Sequence, residues 1–193
     1  MITVICGGVG AARFLRALRQ LGAPGPVFGI VNTGDDTSLH GLAISPDLDT
    51  ITYTLAGEID PDRGWGLVDE TWVAMAALER YASVRPEGSA AAPTWFNLGV
   101  RDLATHFYRT ARLQEGATLT EVTAEIVRAW SLEEHLVPMT DDRVATIVEL
   151  EDGRSVSFQE YFVQLRHGVP RGVRRTRPAL GAARWTRSGS TAR

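Results

Sequence analysis

The apolar residues open with a short β-branched run, Thr3 to Cys6, and Gly7-Gly8-Val9-Gly10 follows at once. That order predicts a buried strand ending in a tight turn. From Ala11 to Leu21, Phe14, Leu15, Leu18 and Leu21 fall at helical spacing, and Gly22 to Pro26 ends the run. Val27 to Asn32 reads as a second strand, so the chain opens as strand, helix, strand with a parallel pair. The fold class expected is α/β: a Rossmann-like open, mostly parallel sheet with flanking helices, incomplete at the C-terminus. Thr33 to Asp49 reads as loop, Thr50 to Leu55 as a short helix and Pro61 to Gly66 as turn. Val68 to Tyr81 is predicted helical, with Val68, Trp72, Met75 and Ala76 on one side. Ser83 to Pro93 is a connector. Asp102 to Gln114 and Leu119 to Trp130 read as helices, the second capped by Thr118 or Thr120 with Glu121 near its positive end. Val144 to Leu150 and Arg154 to Phe158 flank Glu151-Asp152-Gly153, a hairpin signal.

After Pro170 the periodicity stops. Residues 1–170 are expected to form the folded part, and 171–193 a basic, disordered tail or an out-of-frame translation product. Seven of the 20 arginines lie in that tail, which has no acid, leaving 13 against 23 acidic residues in the rest. An acidic body argues against a nucleic-acid-binding domain. The lone cysteine, Cys6, allows no internal disulfide and reads as a small buried hydrophobe. No apolar run approaches the roughly 18 residues of a membrane span, and no signal peptide is visible. The expected setting is the cytoplasm, with no membrane partner.

Candidate chemistry gathers in five segments. In Gly7-Gly8-Val9-Gly10-Ala11-Ala12-Arg13, free N–H groups at a helix start favour an anion, and glycines let it approach closely. A dinucleotide fingerprint would want a glycine where Arg13 stands and an acid where Asn32 stands. There is no Gly-Lys-Ser/Thr, which speaks against a P-loop nucleotidase. Asn32-Thr33-Gly34-Asp35-Asp36 follows the second strand, where open α/β sheets bind ligands, and its paired carboxylates suit a hard cation or an ordinary turn. In Ser45-Pro46-Asp47-Leu48-Asp49-Thr50, the two acids point the same way if the segment is extended; alternatively one of them caps a helix. If the fold gathers these four carboxylates, Mg²⁺ or a raised pKa would relieve their repulsion. Trp65, in Arg63-Gly64-Trp65-Gly66, offers a flat face to a ring system or plugs the core under a loop. Asp102 and His106 are four apart and can share a helix face, and Arg101 near the helix start could hold a phosphate. His40, His135 and His167 are isolated and read as non-ligands.

These segments, in this order, resemble the 2-phospho-L-lactate transferase family of coenzyme F-420 biosynthesis. Pro138-Met139-Thr140-Asp141-Asp142 and Phe158-Gln159-Glu160 extend the likeness, which runs from Met1 to about Pro170. The resemblance implies a transferase in which the terminal ribityl hydroxyl of the deazaflavin Fo attacks a phosphoryl group of a guanosine-diphosphate-activated three-carbon acid. GMP leaves, with Mg²⁺ as cofactor and a homodimer as the full-length form. It implies that Asp49 and Asp47 serve catalysis, and that Asp35, Asp36 and Asp47 hold the metal. The implied substrate contacts are Gly7, Gly8, Gly10, Arg13, Asn32, Asp49, Asn97, Arg101, Asp102 and His106. Arginine as the sole basic residue leans toward the actinobacterial, enolpyruvyl-transferring type. Val100 stands where the family usually has Asp. The family's C-terminal half, with its Gly-Pro-Ser-Asn-Pro loop, has no counterpart in these residues, so the chain alone is expected to be poorly folded or inactive. The rival readings are a related nucleotide-sugar-binding regulatory protein, a nicotinamide oxidoreductase, and an inert truncated product. Thr37-Ser38-Leu39-His40 after Asp36, in place of Gly-Gly-Ser-Ser, disfavours the first.

Overall fold

Strand β1 (Ile2–Cys6) feeds directly into helix α1 (Gly8–Gln20), and β2 (Val27–Val31) returns beside β1 in parallel. The structure, a computed structural model, describes residues 1–87, 89, 91–93, 95–150 and 152–165, and the backbone of 174–175. A hairpin follows β2: β3 (Thr37–Leu39) and β4 (Leu42–Ile44) pair antiparallel. Its two turn residues, His40 and Gly41, both have positive φ (54° and 77°), as a twist-matched two-residue hairpin turn requires. Helices α2 (Pro46–Ala56), α3 (Val73–Ala82), α4 (Asp102–Gln114) and α5 (Leu119–Ala129) come next. Strand β5 (His135–Pro138) then pairs parallel with β2 on the side away from β1, giving the strand order β1-β2-β5. A second hairpin, β6 (Ile147–Glu149) with β7 (Ser155–Ser157), leads into a π-helical turn at Glu160–Gln164. The backbone of β8 (Arg174–Arg175) pairs with β6; the rest of 171–193, where a tail is expected, lies outside the described residues, as does His167.

The architecture is α/β, an open parallel sheet with flanking helices. The central core joins Cys6 and Val31 of the sheet to Ala12 and Leu15 of α1, Leu48, Ile51 and Leu55 of α2, and Val127 of α5. That covers one face of the sheet. On the other, Thr3 and His135 are exposed and Ile5 is 87% exposed. No helix of the described residues is long and apolar enough to cross a membrane.

Several element bounds differ from the sequence reading. Helix α1 starts three residues earlier, taking Gly8 and Gly10 into its first turn. Helix α2 starts at Pro46, a ring whose fixed φ and missing N–H suit a first helical position. Asp47 and Asp49 therefore sit on a first helical turn, not on an extended segment, and point in different directions. Neither is the cap, which is Ser45. The Val68–Trp72 stretch is not helical: Asp69 has φ 55° and Val68 N–H donates to Glu58 C=O. Helix α4 has the predicted bounds, and α5 carries a full capping box between Thr118 and Glu121.

Ile51 is 0% exposed and clamps α2 to the sheet. Truncating such a side chain removes its transfer energy and leaves a cavity, so Ile51→Ala is expected to lower the unfolding free energy by about 2–5 kcal/mol. Urea unfolding followed by circular dichroism checks this.

Candidate active site

In register, Cys6, Val31 and Pro138 end the three parallel strands side by side. The loops that follow, with the start of α2, form the rim of the site. Gly7 and Gly8 make the first loop. A Cβ on Gly7 would lie 2.5 Å from Asp47 Oδ2 and 3.0 Å from Asn32 Cβ, so only glycine fits. Gly8 has φ +66° and its N–H serves the Asp47 carboxylate. Asn32, just past β2, is the hub. Its Nδ2 donates to Asp47 Oδ2 at 2.9 Å and to Asp35 Oδ1 at 3.4 Å, while its Oδ1 accepts the Gly34 N–H at 3.0 Å. Gln159, 124 residues downstream, donates to Asp35 Oδ2 at 3.1 Å. Asp36 turns away from this pair. Its Oδ2 accepts from Ser45 Oγ at 2.8 Å, and its Oδ1 is buried without a partner. Asp36 and Ser45 border a cavity of about 330 Å³ that Thr110, Asp142 and Arg143 also line.

Burial sets the proton affinities here. It lifts Asp35 to about 7, with the Asp47 charge adding to the effect, and Asp36 to about 8 against the Ser45 hydrogen bond. Asp47 is raised by burial as well, with the Asn32 and Gly8 donors pulling the other way. The donors around these acids are neutral or backbone groups: they orient carboxylates without cancelling charge.

Asp49 is one step deeper. It is 5% exposed, and both its oxygens meet the guanidinium of buried Arg109: Nη1 to Oδ2 at 3.1 Å, and Nη2 to Oδ1. Burial works against the charge of Arg109, and Asp49 more than offsets it. His106 Nδ1 lies 3.7 Å from Asp49 Oδ2, and its Nε2 stands 3.1 Å from Asp102 Oδ2, without hydrogen-bond alignment. Tyr53 donates to Asp102 Oδ1 at 2.5 Å. Burial, with Asp49 and Asp102 beside it, pushes its hydroxyl well above the ordinary value, so it stays protonated. Asp49, Asp102 and His106 present ligand atoms within 4.8 Å of one another. The imidazole turns one nitrogen to each carboxylate and Arg109 occupies Asp49, which makes this a bridged ion network in preference to a metal centre.

The remaining residues picked from the sequence fall around this centre. Gly10 and Arg13 lie on the exposed side of α1, and Arg13 makes no hydrogen bond or ion pair among the described residues. Arg101 is committed elsewhere, to Val68 C=O and to Glu58 at 3.2 Å. The Glu70 carboxylate takes the Arg101 and Asp102 N–H groups at 2.8 and 3.0 Å, filling the helix start at which a phosphate was expected. Asn97 is exposed on the connector before α4. Trp65 is 47% exposed, and Leu67, at 2%, is the residue that plugs the core under its loop. Ser45, Gln159, Tyr53 and Arg109 are the partners not assigned from the sequence. Gln159 lies in a segment that carried the family likeness, and Arg109 follows His106 by three, on the same helix face.

The 2-phospho-L-lactate transferase CofD family matches residues 2–184. The chain is 44% identical over 189 residues to a phosphoenolpyruvate transferase of Streptomyces coelicolor, covering 93% of this chain and 57% of that one. It is 43% identical over 187 residues to one of Mycobacterium tuberculosis (88% and 54%), and 47% identical over 174 residues to one of Nocardia farcinica (87% and 50%). The chain thus spans about half the length of the curated relatives it matches. Protein BH3568 of Bacillus halodurans aligns with TM-score 0.50 at 16% identity, over 91% of this chain and 53% of that one, a likeness of fold.

Asp35 and Asp36 hold protons in the folded state, at about 7 and about 8, that the unfolded chain releases near the ordinary carboxyl value of about 4. Their stabilisation is therefore complete below about pH 4 and is lost as pH rises through 7 and 8. In chelator, the thermal midpoint is expected to fall between about pH 5 and about pH 8.5. Asp36→Asn, which keeps an acceptor for Ser45, should flatten the upper part of that slope; an unchanged slope would contradict the assignment.

Proposed function

Because this chain belongs to the 2-phospho-L-lactate transferase CofD family, we propose that it forms the acceptor and phosphate side of a transferase in coenzyme F-420 biosynthesis. The enzyme moves a phosphorylated three-carbon acid from a guanosine-diphosphate-activated donor to the terminal hydroxyl of Fo. The relatives named above are phosphoenolpyruvate transferases, which favours an enolpyruvyl over a lactyl donor. The observation that carries the reading is the meeting of Asp35 and Asp47 on Asn32 above the glycine turn, at the carboxyl ends of a parallel sheet.

The residues fit a divalent cation. Two half-buried carboxylates share one amide, each with proton affinity raised by burial and with no cationic partner among the described residues. Mg²⁺ is commonly held by one or two carboxylates plus substrate phosphates, and Asp35 and Asp47 would hold it here, whereas Asp36 is turned to Ser45. Bound there, it would neutralise charge on the transferring phosphoryl group. The Asp47 carboxylate lies against Gly8, so a phosphate bound at this turn would stand beside the acids.

The hydroxyl oxygen of Fo bonds to the phosphorus that carries the acid, and the bond from that phosphorus to the GMP oxygen breaks. The hydroxyl proton passes to a carboxylate of the cluster, Asp47 being the candidate because it faces the turn. Asp49 supplies a fixed negative group that Arg109 and His106 hold in place beneath the acceptor. Phosphoryl transfer depends chiefly on such positioning and charge neutralisation.

Calorimetry with Fo, GDP and a UDP-sugar tests the class: Fo and GDP should bind with Mg²⁺, whereas UDP-sugar binding without Fo binding would favour the regulatory reading. In the transfer assay, followed by GMP release and run with these residues in a full-length family member, Asp47→Asn is expected to lower turnover roughly hundredfold or more. Full turnover by that variant would remove Asp47 from the mechanism.

A further inference from the structure

The segment between Ile59 and Leu67 is a closed, braced loop. Its ends form an antiparallel bridge, Asp60 N–H donates to Gly66 C=O at 3.1 Å, and Gly64 N–H donates to Asp60 C=O at 2.9 Å. Asp60 takes the Asp62 and Arg63 N–H groups at 3.0 and 2.9 Å and pairs with Arg63 Nη2 at 2.8 Å. Arg63 also donates to Leu67 C=O at 3.0 Å, and its guanidinium lies 4.8 Å from the ring centre of Trp72 and 5.5 Å from that of Trp65. Leu67 fills the core beneath. Trp65 itself is 47% exposed, with the Arg63 guanidinium against its ring.

The loop sits on the first turns of α1. A Cβ on Gly64 would lie 3.4 Å from Val9 Cγ1 and 3.5 Å from Arg13 Nη2, and Gly64 has φ +73°. Trp65, next to Gly64 in the chain, is thus carried on the segment that meets Val9 and the uncommitted guanidinium of Arg13, on the helix that begins at the glycine turn. An indole backed by a cation and left facing solvent next to an anion-binding turn suits a planar heterocycle whose chain leads to a phosphate.

We infer that Trp65 is the stacking platform for the fused heterocycle of one of the two substrates, with Arg13 beside it on the phosphate side. This rests on the transferase reading above. The shared chemistry is a flat aromatic ring system, which the deazaflavin of Fo and the guanine of the donor both carry. The braced loop holds the platform in place before the ligand arrives, so binding does not have to order it.

The test titrates the protein, with Mg²⁺, separately with Fo and with GDP, by calorimetry and tryptophan fluorescence, and repeats this for Trp65→Ala and Trp65→Phe. Trp65→Ala is expected to weaken one ligand roughly tenfold or more, as loss of an aromatic stacking partner does, while Trp65→Phe keeps most of the affinity. The ligand that weakens identifies the ring. Unchanged binding of both ligands by Trp65→Ala overturns the inference and leaves the transferase reading standing. Equal loss of both, with a lowered thermal midpoint, assigns Trp65 to loop stability and also overturns it. Binding of neither ligand by the unsubstituted protein overturns the transferase reading and this inference with it.

Discussion

The approach of Gly7 to Asp47 is the contact around which the rest is arranged. The end of β1, the end of β2 and the first turn of α2 meet where a single methyl group would collide with Asp47 Oδ2 and with Asn32. That closeness lets one amide, Asn32, reach two carboxylates, and lets a backbone N–H of the glycine turn serve one of them. The same helix α2 buries Leu48, Ile51 and Leu55 against Cys6, Ala12 and Val31. Packing and site geometry therefore share one helix. A side chain at position 7 would push aside the Asp47 carboxylate and press on Asn32, disturbing the acids they hold.

Around that contact the protein treats its acids unequally. Asp35, Asp36 and Asp47 receive neutral partners: Gln159, Ser45 and Asn32. Asp49 receives a full counter-charge from Arg109. Neutral donors set the direction of a carboxylate but leave its charge to be met, and burial makes that demand stronger. The upper acids thus keep an appetite for a cation or a proton. The lower acid is satisfied internally. Identical side chains acquire different duties through burial and partner alone.

Much of this was legible in the sequence where patterns are long. The opening parallel pair and the bounds of α4 followed from uninterrupted periodicity, and the glycine turn and the acids of Asp35, Asp36 and Asp47 were visible as local motifs. What was missed is short or distant. Strands β3, β4 and β5 have three or four residues, too few for a period to register, although β5 completes the sheet on the far side of β2. The early start of α2 was hidden because Ser45-Pro46 reads equally as a turn or as a cap followed by a first-turn proline. No local pattern could assign Gln159 to Asp35 across 124 positions, or predict that the Arg109 guanidinium would be drawn inside by Asp49. Those pairings arise only once the sheet sets the distances.

The two acids of α2 show what the helical start accomplishes. On an extended segment Asp47 and Asp49 would share a face and compete for one cation. On a first helical turn, two positions are separated by about 200°, so one carboxylate reaches up to the glycine turn and the other down to α4. The downward branch continues from Arg109 and His106 to Asp102 and Tyr53, and Tyr53 is itself on α2. The ring of contacts thus closes from α2 to α4 and back. Apolar packing alone tolerates sliding of one helix on another, because it is not directional. The bidentate Arg109–Asp49 contact and the Tyr53–Asp102 hydrogen bond do not, since each has a fixed length and angle. The orientation of the helix that presents Asp47 to the site is therefore set by polar geometry underneath it, at the desolvation cost that buried ions carry.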